Sequence, residues 1–208
     1  MTMKTRLLTA LGALLLFLPV ARALPSAPEI KTAFDAIDAD HNGVISLDEW
    51  EKASFALFHA ADKNNDNVLD ASELAGTNIT QDTFALADEN HDGRLSIAEF
   101  MRLRRAIFTA ADIDRSGGLS FVEFELLTLL AQTGWTDRNH NGRIEPSELK
   151  AALVQAFGQL DLDHDGFLSP AETAYMSPEQ FKLCDENKDG KLTQDEFVRG
   201  YLTALGAI

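Results

Sequence analysis

The sequence predicts an all-α fold: an array of seven short helix–loop–helix units in which some helices serve two loops. Three observations predict it. A twelve-residue block recurs seven times in the 208 residues, beginning at Asp38, Asp62, Asp88, Asp112, Asp137, Asp161 and Asp185. A phenylalanine stands four residues before six of the blocks (Phe34, Phe58, Phe84, Phe108, Phe157 and Phe181), with Thr133 before the fifth. An apolar residue follows six of them (Trp50, Leu74, Phe100, Phe124, Leu149 and Phe197), with Thr173 the exception. These flanks put one apolar stripe on the entering helix and one on the leaving helix.

Within the block the residue types point to one chemistry. Every block starts with Asp and ends with Glu, and its third and fifth positions are Asp, Asn or Ser. Its sixth is Gly, except for Asn67, and its eighth is Ile or Leu throughout. Calcium is a hard cation that takes six to eight oxygens at irregular angles. The first, third and fifth positions offer side-chain oxygens, the seventh a carbonyl, and the ninth a side chain or a bridged water. The final Glu can ligate through both oxygens. The sixth position must turn with φ > 0, which Gly does without steric cost and Asn tolerates. The apolar eighth residue points away from the ion.

On these positions the chain resembles the EF-hand family, from residue 30 to about 202. The resemblance implies calcium as the cofactor, up to seven ions, and a ligand set for each loop. Loop one would use Asp38, Asp40, Asn42, Val44, Ser46 and Glu49. Loop two would use Asp62, Asn64, Asp66, Val68, Asp70 and Glu73. Loop three would use Asp88, Asn90, Asp92, Arg94, Ser96 and Glu99. Loop four would use Asp112, Asp114, Ser116, Gly118, Ser120 and Glu123. Loop five would use Asp137, Asn139, Asn141, Arg143, Glu145 and Glu148. Loop six would use Asp161, Asp163, Asp165, Phe167, Ser169 and Glu172. Loop seven would use Asp185, Asn187, Asp189, Lys191, Thr193 and Glu196. The seventh-position residue of each set acts through its carbonyl.

Only twelve to fourteen residues separate one block from the next. Three linkers read as unbroken helices, Leu47 to Ala61, Ile97 to Ala111 and Pro146 to Leu160, each about 22 Å long at 1.5 Å per residue. The others contain breaks: Gly76-Thr77-Asn78 before an N-cap at Thr80, then Gly134, then Ser177-Pro178. The chain can double back at a break, so loops two and three, four and five, and six and seven are expected to pair through their eighth positions. Loop one is then left over, with Ile45 at an open edge. A homodimer through paired first loops is one expectation, and a monomer the other. The sharing of helices and the odd hand are similar to the penta-EF-hand proteins, and the number of hands to the calumenin-like secretory proteins.

Residues 1–23 read as a signal peptide: basic Lys4 and Arg6, an apolar run from Leu7 to Val20, and the small-x-small site Ala21-Arg22-Ala23. Residues 24–29 are a short linker, and 30–208 the array, with lobes at roughly 30–132 and 133–208. Export places the protein in a periplasm or outside the cell, with no stable membrane anchor. Without the leader the net charge is −18, and seven Ca²⁺ would bring it to −4. Of the 33 acids, 23 occupy side-chain ligand positions. So acidic a chain repels nucleic acid. The lone Cys184 reads as a small buried residue, and His41, His91, His140 and His164, at the fourth loop positions, as solvated surface. No nucleophile elbow, phosphate loop or zinc-protease motif occurs, so a non-enzymatic calcium-binding protein is expected. A buffer or calcium-stabilised module is favoured over a sensor with a protein target, because sensor grooves are Met-rich and only Met101 and Met176 follow the leader.

Overall fold

The computed structural model describes residues 24–74, 84–85, 87–135, 137–139 and 141–207. The signal segment, the first linker break with Thr80, and His140 lie outside them. Among the described residues there are seven α-helices: α1 (Ala27–Ile37), α2 (Leu47–Ala61), α3 (Ile97–Ala111), α4 (Phe121–Thr133), α5 (Pro146–Leu160), α6 (Pro178–Cys184) and α7 (Gln194–Ala204). Six short strands sit in the loops: β1 (Val44–Ser46), β2 (Val68–Leu69), β3 (Leu95–Ser96), β4 (Gly118–Ser120), β5 (Phe167–Leu168) and β6 (Leu192–Thr193). The shared helices α2, α3 and α5 have the bounds expected from the sequence.

The block itself starts these helices. Its ninth and twelfth residues form a capping box, in which each satisfies a backbone donor near the other. At α2 the Glu49 N–H donates to Ser46 Oγ at 3.3 Å, and the Ser46 N–H donates to Glu49 Oε2 at 2.9 Å. Ser96 with Glu99, Ser120 with Glu123, and Thr193 with Glu196 repeat the arrangement. Pro146 opens α5 at a position that needs no donor. Ser177 caps α6 by accepting from the Gln180 N–H at 3.1 Å, and Gly134 ends α4 with φ +88°.

The fold falls into two compact units, Ala33–Phe108 and Leu24–Thr32 with Thr109–Ile208. In the first, β2 and β3 pair antiparallel with Leu69 opposite Leu95, as the eighth-position rule requires. Leu57, Phe58, Leu69, Leu74, Leu95 and Phe100 form the core beneath them, with the Phe58 and Phe100 rings 5.5 Å apart. Helices α2 and α3 are tied by a buried polar group. The Trp50 indole donates to the Arg104 carbonyl at 2.9 Å, and the Arg104 guanidinium lies 3.9 Å over the Trp50 ring. Arg104 Nε donates to Ser54 Oγ at 2.9 Å. Burial lowers Arg104 to about 9.

In the second unit β5 pairs with β6, Leu168 opposite Leu192. Phe157, Phe197 and Tyr201 meet in sequence through tilted and edge-to-face contacts, with centroid separations of 6.0 and 5.3 Å. Cys184 is buried and unpaired, and its thiol is pushed up to about 12 by that burial.

Two expectations fail. The bridge between loops four and five does not form among the described residues, where loop five contributes no strand. There Glu145 is drawn over the loop, accepting from Asn139 Nδ2 at 2.5 Å and from Asn141 Nδ2, and then leads into α5. Ile45, expected at an open edge, is fully buried within strand β1.

A feature absent from the sequence reading is the approach of α6 to α7. A Cβ on Gly200 would lie 2.2 Å from Cys184 Sγ and 2.9 Å from its Cα. Ala is otherwise the better helix former by about 1 kcal/mol. Gly200→Ala is expected to destabilise the protein by about 1–3 kcal/mol, because overpacking exceeds the propensity gain. Thermal unfolding at saturating calcium measures it, and an unchanged or higher Tm would refute the close packing.

Candidate metal centres

The loops share one internal wiring. The first Asp accepts the sixth-position N–H throughout and, in loops one, two, three, five and seven, the fifth-position N–H as well. In loops four and six the fifth N–H donates instead to Asp114 and Asp163. In loop one the two bonds are Asn42 to Asp38 Oδ1 at 3.1 Å and Gly43 to Asp38 Oδ2 at 2.9 Å. The sixth-position N–H donates to the first Asp in every loop, including Asn67 to Asp62 at 3.0 Å. Asn67 adopts φ +64°, so loop two turns as the glycine loops do. The seventh-position N–H donates to the fifth side chain in six loops, as Val44 does to Asn42 Oδ1 at 2.8 Å, while in loop four the Ser116 hydroxyl donates to the Gly118 carbonyl.

The closing Glu faces inward. Glu49 Oε1 accepts from the Ala39 and Asp40 N–H groups at 2.8 and 3.3 Å, while Oε2 takes the Ser46 N–H and hydroxyl. Hydrogen bonds from Ser46 hold the Glu49 carboxyl below its ordinary value, and Ser96 does the same for Glu99. Main-chain and hydroxyl bonds from Ser169 lower Glu172. Loop four differs, since burial pushes both Asp112 and Glu123 upward.

In four loops three carboxylates converge, with one oxygen from each within 4.8 Å of the others: Asp38, Asp40 and Glu49; Asp62, Asp66 and Glu73; Asp112, Asp114 and Glu123; Asp161, Asp163 and Glu172. No such trio occurs in loops three, five and seven among the described residues. Asp112 Oδ1 and Asp161 Oδ1 are buried without any hydrogen-bond partner. A buried carboxylate oxygen with no donor is costly, and a hard cation is the partner that an all-oxygen trio suits. The donor set therefore fits calcium.

The EF hand family matches the chain at residues 30–55, 56–75, 80–103, 137–154, 153–174 and 179–201, well over half its length. The chain belongs to the EF-hand family. It binds calcium through its EF hands. Loop four, Asp112 to Glu123, lies outside the matched segments. Calcium-dependent protein kinase 3 of Oryza sativa subsp. japonica is 28% identical over 172 residues, which is 82% of this chain and 24% of the kinase. Calcium-dependent protein kinase 16 of the same organism gives the same identity and coverage. The mitochondrial adenyl nucleotide antiporter SLC25A24 of Mus musculus is 30% identical over 107 residues, 47% of this chain and 19% of the antiporter. The chain thus spans about a quarter or less of these relatives.

Sequence reasoning missed one property of the EF-hand loops. The fourth position is also left-handed, with φ between +56° and +61° at His41, Asn65, His91, Arg115, His164 and Lys188. His41, His91 and His164 are exposed there, as expected. Asn65 and the three histidines belong to types enriched among non-Gly residues with φ > 0, a signal the sequence reading did not use; Arg115 and Lys188 do not. The main-chain turn toward the first Asp imposes the conformation.

Ser46→Ala should separate the two duties of Glu49. Losing the cap is expected to cost about 1 kcal/mol. In calcium-free protein the Glu49 carboxyl should rise toward 4.5, its ordinary value. A carboxylate lowered by folding stabilises above its unfolded value, and that stability is lost as pH falls through the lowered value. The variant should therefore lose part of its stability above pH 4.5 and show a shallower decline below it. Carboxyl NMR titration with acid unfolding in chelator checks both. An unmoved Glu49 would mean that the serine does not set its charge.

Proposed function

We propose that this EF-hand chain is an exported calcium buffer or calcium-stabilised module that takes up to seven ions. The observation that carries the reading is the pair of partnerless buried oxygens, on Asp112 and Asp161, inside converging carboxylate trios. Such loops are assembled for a cation and are left repulsive without one.

The shared helices favour a buffer or module over a sensor. A sensor hand opens by swinging one helix away from the other. Here α2, α3 and α5 each leave one loop and enter the next, so opening one hand drags its neighbour. Met176 is buried, and Met101 packs partly buried against the first unit's core. Neither supplies the pliable exposed surface that sensors offer to targets. Export rests on the basic, apolar and small-residue segments of residues 1–23, and the function needs no catalytic group.

Equilibrium binding should reach seven calcium ions per chain. Chelation should lower the Tm by about 10 °C or more, by mass action on the folded state. ANS emission should fall or stay flat as calcium is added. A Tm indifferent to chelator would sink the stabilising role, and a strong calcium-dependent rise in ANS emission would favour the sensor.

A further inference from the structure

We propose that loop four is coupled to loops six and seven through Glu125, so that calcium in loop four raises the affinity of that pair. The proposal rests on the reading that loop four takes calcium.

Helix α4 carries Glu123, the closing residue of loop four, as its third residue, and Glu125 follows two positions later. Residues two apart on a helix point to nearly opposite sides. Glu123 faces its loop, while Glu125 is directed into the second unit and is fully buried. Its Oε2 accepts the Ser177 N–H at 2.8 Å, and its Oε1 accepts the Tyr201 hydroxyl at 3.1 Å. The Tyr201 and Tyr175 hydroxyl oxygens are 3.4 Å apart. Ser177 is the N-cap of α6, which enters loop seven. Tyr201 lies on α7, which leaves loop seven. Tyr175 lies in the turn segment just past Glu172, which closes loop six. One carboxylate thus links the helix that closes loop four to the entry and exit of loop seven and the exit of loop six.

The link is dry, since Glu125, Tyr175 and Tyr201 are each at most 1% exposed. Water cannot readily replace a bond lost there. A shift of α4 as Glu123 closes on its ion must carry the linked helices along or break buried hydrogen bonds. The sign follows from what coexists. In this structure the bonds to Glu125 are made while the acids of loop four and of loop six both converge within 4.8 Å. The linked arrangement is therefore the one in which both loops hold their ligands gathered, and filling one favours the other.

Calcium titration of ¹⁵N-labelled protein tests this. The sixth-position amides of Gly117, Gly166 and Gly190 donate to the first Asp of loops four, six and seven, and report each loop separately. Glu123→Gln, which disables loop four, should weaken calcium binding at Gly166 and Gly190 by about tenfold, within the usual range of coupling. Combined with Tyr201→Phe, which cuts one of the two links, the same change should cost about threefold. Combined with Glu125→Leu, which cuts both, it should cost nothing measurable. A merely structural role for the network would lower affinity in Tyr201→Phe without altering the response to Glu123→Gln. An undiminished response in Tyr201→Phe overturns the coupling even if Glu125→Leu does not fold. A Gly117 amide that responds while Gly166 and Gly190 ignore Glu123→Gln overturns the coupling alone. A Gly117 amide that never responds to calcium overturns the coupling and the seven-ion reading together.

Discussion

The glutamate that closes loops one, three, four, five and seven serves two structures at once. It caps the helix it begins, and it presents its carboxylate to the loop it ends. Glu49 does both within one residue, accepting main-chain N–H groups from Ala39 and Asp40 on one oxygen and the Ser46 donors on the other. The remaining geometry depends on this. With helix start and ligand in the same side chain, the leaving helix is oriented by the loop, and the loop by the helix. The eighth residue is then turned into the core, where Leu69 meets Leu95 and Leu168 meets Leu192.

Much of this was legible because it is local. Capping boxes, turn residues and apolar spacing act over three or four residues, and they fixed α2, α3 and α5 to the residue. The pairing of loops two and three and of six and seven followed from the linker breaks. What escaped depends on contacts distant in sequence. Ile45 is buried rather than left at an edge, and Glu145 folds over loop five instead of extending into a bridge. In the candidate sites the ligand types were readable. The differing burial of the acids was not, because loop four owes its raised Asp112 and Glu123 to surroundings the block does not encode.

Glu125 and Arg104 form a second class of unread residue. Each is an ionisable group buried on a helix otherwise read for its apolar stripe, Glu125 in a run of Phe and Leu, Arg104 within Met-Arg-Leu-Arg-Arg. A periodicity argument treats such residues as noise on the polar face. Apolar replacements can match or exceed the stability of buried charges, so their presence draws attention to position rather than strength. Both bond across helices, Arg104 to Ser54 and Glu125 to Ser177 and Tyr201.

The sharing of helices also sets a rule on chain length. Adding one residue to an α-helix rotates everything beyond it by about 100° and advances it by about 1.5 Å. Across α2, α3 and α5 consecutive blocks start 24 residues apart in all three cases, whereas across the broken linkers the interval is 26, 25 and 24. A rigid rod between two loops works as a phase lock, and a single insertion would turn the next block's ligands and its apolar eighth residue away from their places. A kinked linker absorbs the same insertion in its turn. Length variation among related chains should therefore collect at the even-to-odd junctions and leave the odd-to-even ones untouched.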